Sequence, residues 1–207
     1  MVHAMPDDTG DVEDGVEQDG AIAAGSVDAV GTADDEDSRP RKAGKHPVTA
    51  RTKARRRAVE ILFEADQRGL LRAVGPDADP LGATGTGEDG AAGRLREFAA
   101  ERAVHSANHT EAPAYTREIL SGVADHLAEV DETIETYAQG WALSRMPAVD
   151  RAIARVATWE IVWNDDVDAP VAVDEAMTLG RMLSTDDSPR FLNGLLGRIG
   201  DLADTLR

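Results

Sequence analysis

No cysteine occurs among the 207 residues, which excludes disulfides, thiolate zinc sites and cysteine nucleophiles. No apolar run approaches the ~20 residues that a membrane-spanning helix needs. The N-terminus is acidic, unlike the basic-then-apolar design of a signal peptide, so a cytoplasmic protein without membrane contact is expected. The first 38 residues contain no basic and no aromatic residue. Rich in Asp, Glu, Gly and Ala and without a sustained period, they are expected to be disordered. No segment alternates with period two for long enough to make a strand, so the expected class is all-α.

What the chain does have is charge in blocks. Of a net charge of −17, residues 1–38 contribute 12 acidic residues, residues 39–57 hold 9 basic and no acidic residues, and the remainder holds 27 acidic and 13 basic. A basic island between two acidic regions is a partner signal, although such blocks also serve as solvated linkers. The expected organisation is a disordered acidic tail and basic linker over residues 1–48, then a helical domain over 49–207. A flexible glycine-rich loop is expected at about 74–93, where glycine is too frequent for regular structure.

The basic island runs into a helix. Arg51, Lys53, Arg55, Arg56 and Arg57 form its head, and Ala58, Ile61, Leu62 and Ala65 continue it at the spacing of one buried face. Thr49 or Thr52 can cap it, and Gly69 tolerates the left-handed turn that ends it. At about 100° per residue, Phe63 lies roughly opposite the Ile61, Leu62 and Ala65 stripe and within about 20° of Arg56. Cations for phosphates beside a ring for base stacking is the combination that binds single-stranded RNA. The competing reading is a solvated cationic face, with Phe63 packed under a second helix layer.

From Arg94 the chain reads as a series of helices. A short one is expected over about 94–105. Pro113 opens a longer one through Val130, and Asp131 caps the next. Pro147 starts a helix through Trp163, Pro170 another, and Ser188 caps the last, which is expected to bury Phe191 through Leu206. Chemistry is scarce along it. His105 and His109 are one turn apart but lack a third ligand, so no metal or other cofactor is expected. The Gly-x-Gly-x-x-Gly match at Gly85, Gly87 and Gly90 follows no strand, and Glu88 and Asp89 would repel a pyrophosphate. No nucleophile, base and orienter set exists, and a binding protein is expected, not an enzyme.

Three later stretches, LSRMPAVDRAIARVATWE (143–160), DAPVAVDEAMTLG (168–180) and LSTDDSPRFLNGLLGRI (183–199), together with ARRRAVEILFEADQRG (54–69), resemble the transcription antitermination factor NusB family, in consistent order from about Thr49 to Arg207. The resemblance implies two packed three-helix bundles and no catalysis. It implies binding to boxA RNA of nascent ribosomal transcripts, pairing with NusE, a small-subunit ribosomal protein, and help to RNA polymerase in reading through termination signals. Carried over by position, the arginine-rich motif falls on Arg51, Lys53, Arg55, Arg56 and Arg57, and an aromatic position near RNA falls on Phe63. An acidic residue near the RNA surface falls on Asp187, with Arg190 beside it, and the acid associated with NusE contact falls on Asp150. Glu160, between Trp159 and Trp163, reads as a paired structural carboxylate. Monomer and homodimer both stay open. So do two other functions, a protein-interaction module and an accessory domain of an RNA methyltransferase. The second is disfavoured because no cofactor loop of that enzyme is present. Neither the acidic tail nor the glycine-rich segment belongs to the family pattern, and the tail can either compete with RNA for the basic head or simply solubilise the chain.

Overall fold

Thr49 opens the first helix with a reciprocal cap: its hydroxyl accepts from the Thr52 amide at 3.0 Å, and its own amide donates to the Thr52 hydroxyl at 3.3 Å. The computed structural model describes residues 48–71, 90–104 and 111–207. Helix α1, Ala50–Gln67, ends where Gly69 takes φ +73 and the amides of Gly69 and Leu70 reach back to Asp66 and Ala65, the two closing bonds of a Schellman motif. The acidic tail, most of the glycine-rich loop, the glycine fingerprint up to Asp89 and both His105 and His109 lie outside the described residues.

Next come α2, Ala91–Val104, and α3, Ala114–Asp125, which Pro113 opens as expected. Ala91 to Gly93, expected in the loop, are the first turn of α2. The longer helix expected to run to Val130 is instead broken at His126, where φ −118 and ψ 24 leave the helical region. It resumes as α4, Leu127–Tyr137. Asp131 is therefore inside α4 and caps nothing; it faces Arg155, which binds it with two bonds of 2.7 and 2.9 Å.

A single 3₁₀ turn, Leu143–Arg145, leads to α5, Ala148–Trp163. Helices α6, Ala169–Leu183, and α7, Ser188–Gly200, follow, and a last turn, α8, Ala203–Leu206, closes the chain. Pro147 and Pro170 sit at or next to the helix starts, as proline's fixed φ favours. The final helix breaks at Gly200 and leaves Leu202 exposed, although its period had placed Leu202 in the core. Ser188 is the first residue of α7 and not its cap, because its hydroxyl is turned inward to Asp150.

Among the described residues the elements are all helical. Helices α1, α2 and α3 make one three-helix bundle and α5, α6 and α7 the other, with α4 laid against α5 and α7. Helix α5 is buried continuously from Ala152 to Val162, the mark of a helix surrounded by others. Helix α1 packs along it as well as against α2 and α3, so the two bundles share a wall. At the contact of α3 with α5, Gly122 faces the Trp159 indole so closely that a Cβ would stand 2.1 Å from it. The glycine is there because only a residue without a side chain lets that ring in. No helix among the described residues is long and apolar enough to cross a membrane.

Candidate RNA interface

The cations of α1 divide between two environments. Arg51, Lys53 and Arg56 are exposed and Arg57 is half-buried, while Arg55 is 2 % exposed. Placing Arg55 among the RNA-facing cations is therefore corrected: its Nε donates to both Glu160 oxygens at 2.9 and 3.0 Å, and its Nη1 stands 3.5 Å from Glu175. Burial works against the guanidinium's charge, but Glu160, helped by Tyr115 and Glu175, holds the pKa above the ordinary value. Enclosed in this way, the guanidinium is out of reach of a phosphate on the surface.

Glu160 anchors the network. It accepts a hydrogen bond from the Tyr115 hydroxyl, and burial raises its carboxyl above the usual glutamate range while Arg55 pulls the other way. Burial, reinforced by Glu160, likewise pushes the Tyr115 phenol up. The outer side of the Tyr115 ring carries Arg51, whose guanidinium carbon is 4.8 Å from the ring centre. The structural role expected for Glu160 is what this geometry gives it.

Arg56 and Arg57 form the outer face, where Glu60 meets them at 3.0 and 3.5 Å. Phe63 is half-buried and packs against the core, so it combines part of each competing expectation: it belongs to the packing and is not fully enclosed. One turn further on, Glu64 pairs with Arg68 and Arg102 at 2.7 and 2.9 Å. The hydrogen bond from Arg102 is the main reason its carboxyl is held below the usual range.

Asp187 and Arg190 are exposed, but they belong to another element, the start of α7. Asp187 flanks α7 without a side-chain cap bond. Next to Arg190, Phe191 meets the exposed Trp141 with ring centres 5.1 Å apart. Sequence reasoning missed this aromatic pair, since 50 residues separate the two rings and no helical period links them. Asp150 is buried at 3 % exposure, so a direct partner contact is corrected as well. Its Oδ2 accepts from the Ser188 hydroxyl at 2.9 Å, which ties the first turn of α5 to the first turn of α7.

Two three-helix bundles sharing a cation-rich first helix put the chain among the all-helical proteins. The NusB family model matches residues 85–201, more than half of the chain, and the chain belongs to the NusB family. The transcription antitermination protein NusB of Beutenbergia cavernae is 50% identical over 162 residues, covering 77% of this chain and 95% of that protein. Its counterpart in Arthrobacter sp. is 45% identical over 159 residues, covering 77% and 98%. The solved structure of T. maritima NusB matches with a TM-score of 0.52 at 27% identity, covering 74% of this chain and 92% of that one.

Proposed function

We propose that this chain binds the boxA element of nascent ribosomal RNA through the outer face of α1, pairs with NusE, and helps RNA polymerase read through termination signals in the cytoplasm. The observation that carries the reading is one helix bearing Arg51, Lys53, Arg56 and Arg57 outward with Phe63 beside them, while its inner face is fixed in both bundles. A site built on so rigid an element meets single-stranded RNA without paying to order itself. Arg190, Asp187 and Phe191 at the start of α7, with Trp141 against Phe191, offer similar surface chemistry on a second element. Asp150 serves the partner surface indirectly, by holding the start of α7 through Ser188. Names of the relatives above support the antitermination role.

The test is binding of a boxA RNA, with and without NusE, across a salt series. Charge-dominated contact with about three phosphates predicts a log-log salt slope near −2 for a single strand. A chain that captures NusE but shows no affinity for boxA RNA at any salt would instead be a protein-interaction module.

A further inference from the structure

Glu60 sits in the middle of the RNA face proposed above. It is four residues from Arg56 and three from Arg57, and its two oxygens are divided between them: Oε1 takes Arg56 Nε at 3.0 Å and Oε2 stands 3.5 Å from Arg57 Nη1. The three side chains are 49, 29 and 41 % exposed in the order Arg56, Arg57, Glu60. They form an open surface cluster and not a buried structural pair like Arg55 with Glu160. Among the described residues no carboxylate pairs with Arg51 or Lys53. Of the row of outward cations, Arg56 and Arg57 thus share one carboxylate, while Arg51 and Lys53 have none among the described residues.

We propose that Glu60 is a built-in competitor for the RNA phosphate, and that it sets the affinity of the α1 face by occupying the two guanidinium groups until RNA displaces it. The inference rests on the RNA-binding reading of α1 and adds its regulation. Exposed ion pairs are weak enough to be exchanged at little cost, each contributing a fraction of a kcal/mol. A phosphate that takes the place of Glu60 on a guanidinium still has the carboxylate about 7 Å away, and the repulsion across that gap in water corresponds to about threefold in affinity before screening. At ~10 mM salt the Debye length of ~30 Å leaves most of that factor, and at ~150 mM the length of ~8 Å removes over half of it. Phe63, three residues on from Glu60, is not opposed by the carboxylate. RNA that stacks a base therefore brings binding energy that Glu60 does not cancel, whereas RNA held by phosphates alone has only the opposed contacts.

The experiment is boxA RNA binding by full-length wild type and Glu60→Gln from about 10 to 300 mM salt. Glutamine keeps the length of the side chain and, being exposed, leaves the fold in place, which circular dichroism checks. Expected is a tightening of about twofold to threefold at ~10 mM salt that falls below about 1.5-fold at ~150 mM. Equal or weaker binding by Glu60→Gln at low salt overturns the proposal and would mean that Glu60 positions the guanidinium groups instead. Wild type that binds no RNA under any condition refutes the α1 interface itself, a separate outcome from a wild type that binds and a variant that does not differ.

Discussion

Replacing Arg55 by methionine removes the cation from the Arg55, Glu160 and Tyr115 network while keeping much of the side chain's bulk. The Glu160 carboxylate would then be buried with only the Tyr115 hydroxyl as donor. Removing one partner of a buried ion pair costs about 3 to 5 kcal/mol, most of it from the charge left behind. For a domain of this size about 2 to 4 °C of melting temperature goes with each kcal/mol, so a drop of about 6 to 20 °C is expected. The drop has a pH signature. Burial already holds the Glu160 carboxyl above its ordinary value of 4.5, and loss of Arg55 raises it further. A raised carboxyl contributes stability that is full below the unfolded value and is lost as pH rises through the folded one. The variant should therefore be penalised most near neutrality and least toward pH 4.5. Adding Glu160→Gln should return about 1 kcal/mol or more, as expected for coupled neighbours. Calorimetry between pH 5 and 8 measures all three. RNA affinity of the folded variant, taken well below its melting temperature, should stay within about twofold of wild type, since no phosphate contact is removed. An unchanged melting temperature together with a tenfold loss of RNA affinity would refute the assignment of Arg55 to the interior.

Gly122→Ala would normally favour a helix by about 1 kcal/mol, but here the added carbon meets the Trp159 indole, and a net loss of about 1 to 3 kcal/mol is expected in urea denaturation; a stabilised variant would show that the ring moves aside freely. Phe63→Ala should weaken RNA binding by about 1 to 3 kcal/mol and lower stability by less than the ~3 to 5 kcal/mol of a fully buried phenylalanine, so a loss confined to stability would take Phe63 out of the interface. Asp150→Lys buries an unpaired cation and should lower the unfolding free energy by about 3 kcal/mol or more; a fully stable variant that merely loses NusE would return Asp150 to the surface. Glu64→Gln tests the pair with Arg102: its lowered carboxyl contributes stability above pH 4.5 that is lost as pH falls through the folded value, so wild type and variant should converge in acid urea melts, and a constant gap would contradict the pairing.

The helices could be read from the sequence because caps, prolines and the apolar period agreed: Thr49, Gly69, Pro113 and Pro147 stand where elements begin or end. Internal breaks were harder to see. His126 interrupts a pattern whose apolar residues continue in phase on both sides, so periodicity alone carries the helix through. Charge alone points Arg55 outward, yet Ala58, Val59 and Leu62, at three, four and seven residues beyond it, are all buried. The period placed Arg55 inside, and the needed partner, Glu160, was 105 residues away where no local pattern shows it. Asp150 was misplaced for the same reason, its neighbours Ile153 and Ala154 being core residues. Glu60, one turn from Arg56, is legible in the sequence as a partner for the cations that precede it.

Because α1 lines both bundles, the described helices offer no natural seam between them. A piece cut to residues 85–201, the stretch that the family model matches, lacks this helix and is not expected to fold alone, because α5 and the rest of the first bundle then lose the wall they share. On the proposed reading, the same arrangement would make RNA a ligand of both bundles together. Whatever seats on the outer face of α1 is bound to a helix that cannot unravel alone, so occupancy should raise a single melting transition as RT ln(1 + [L]/Kd) and protect amides on both halves equally from exchange.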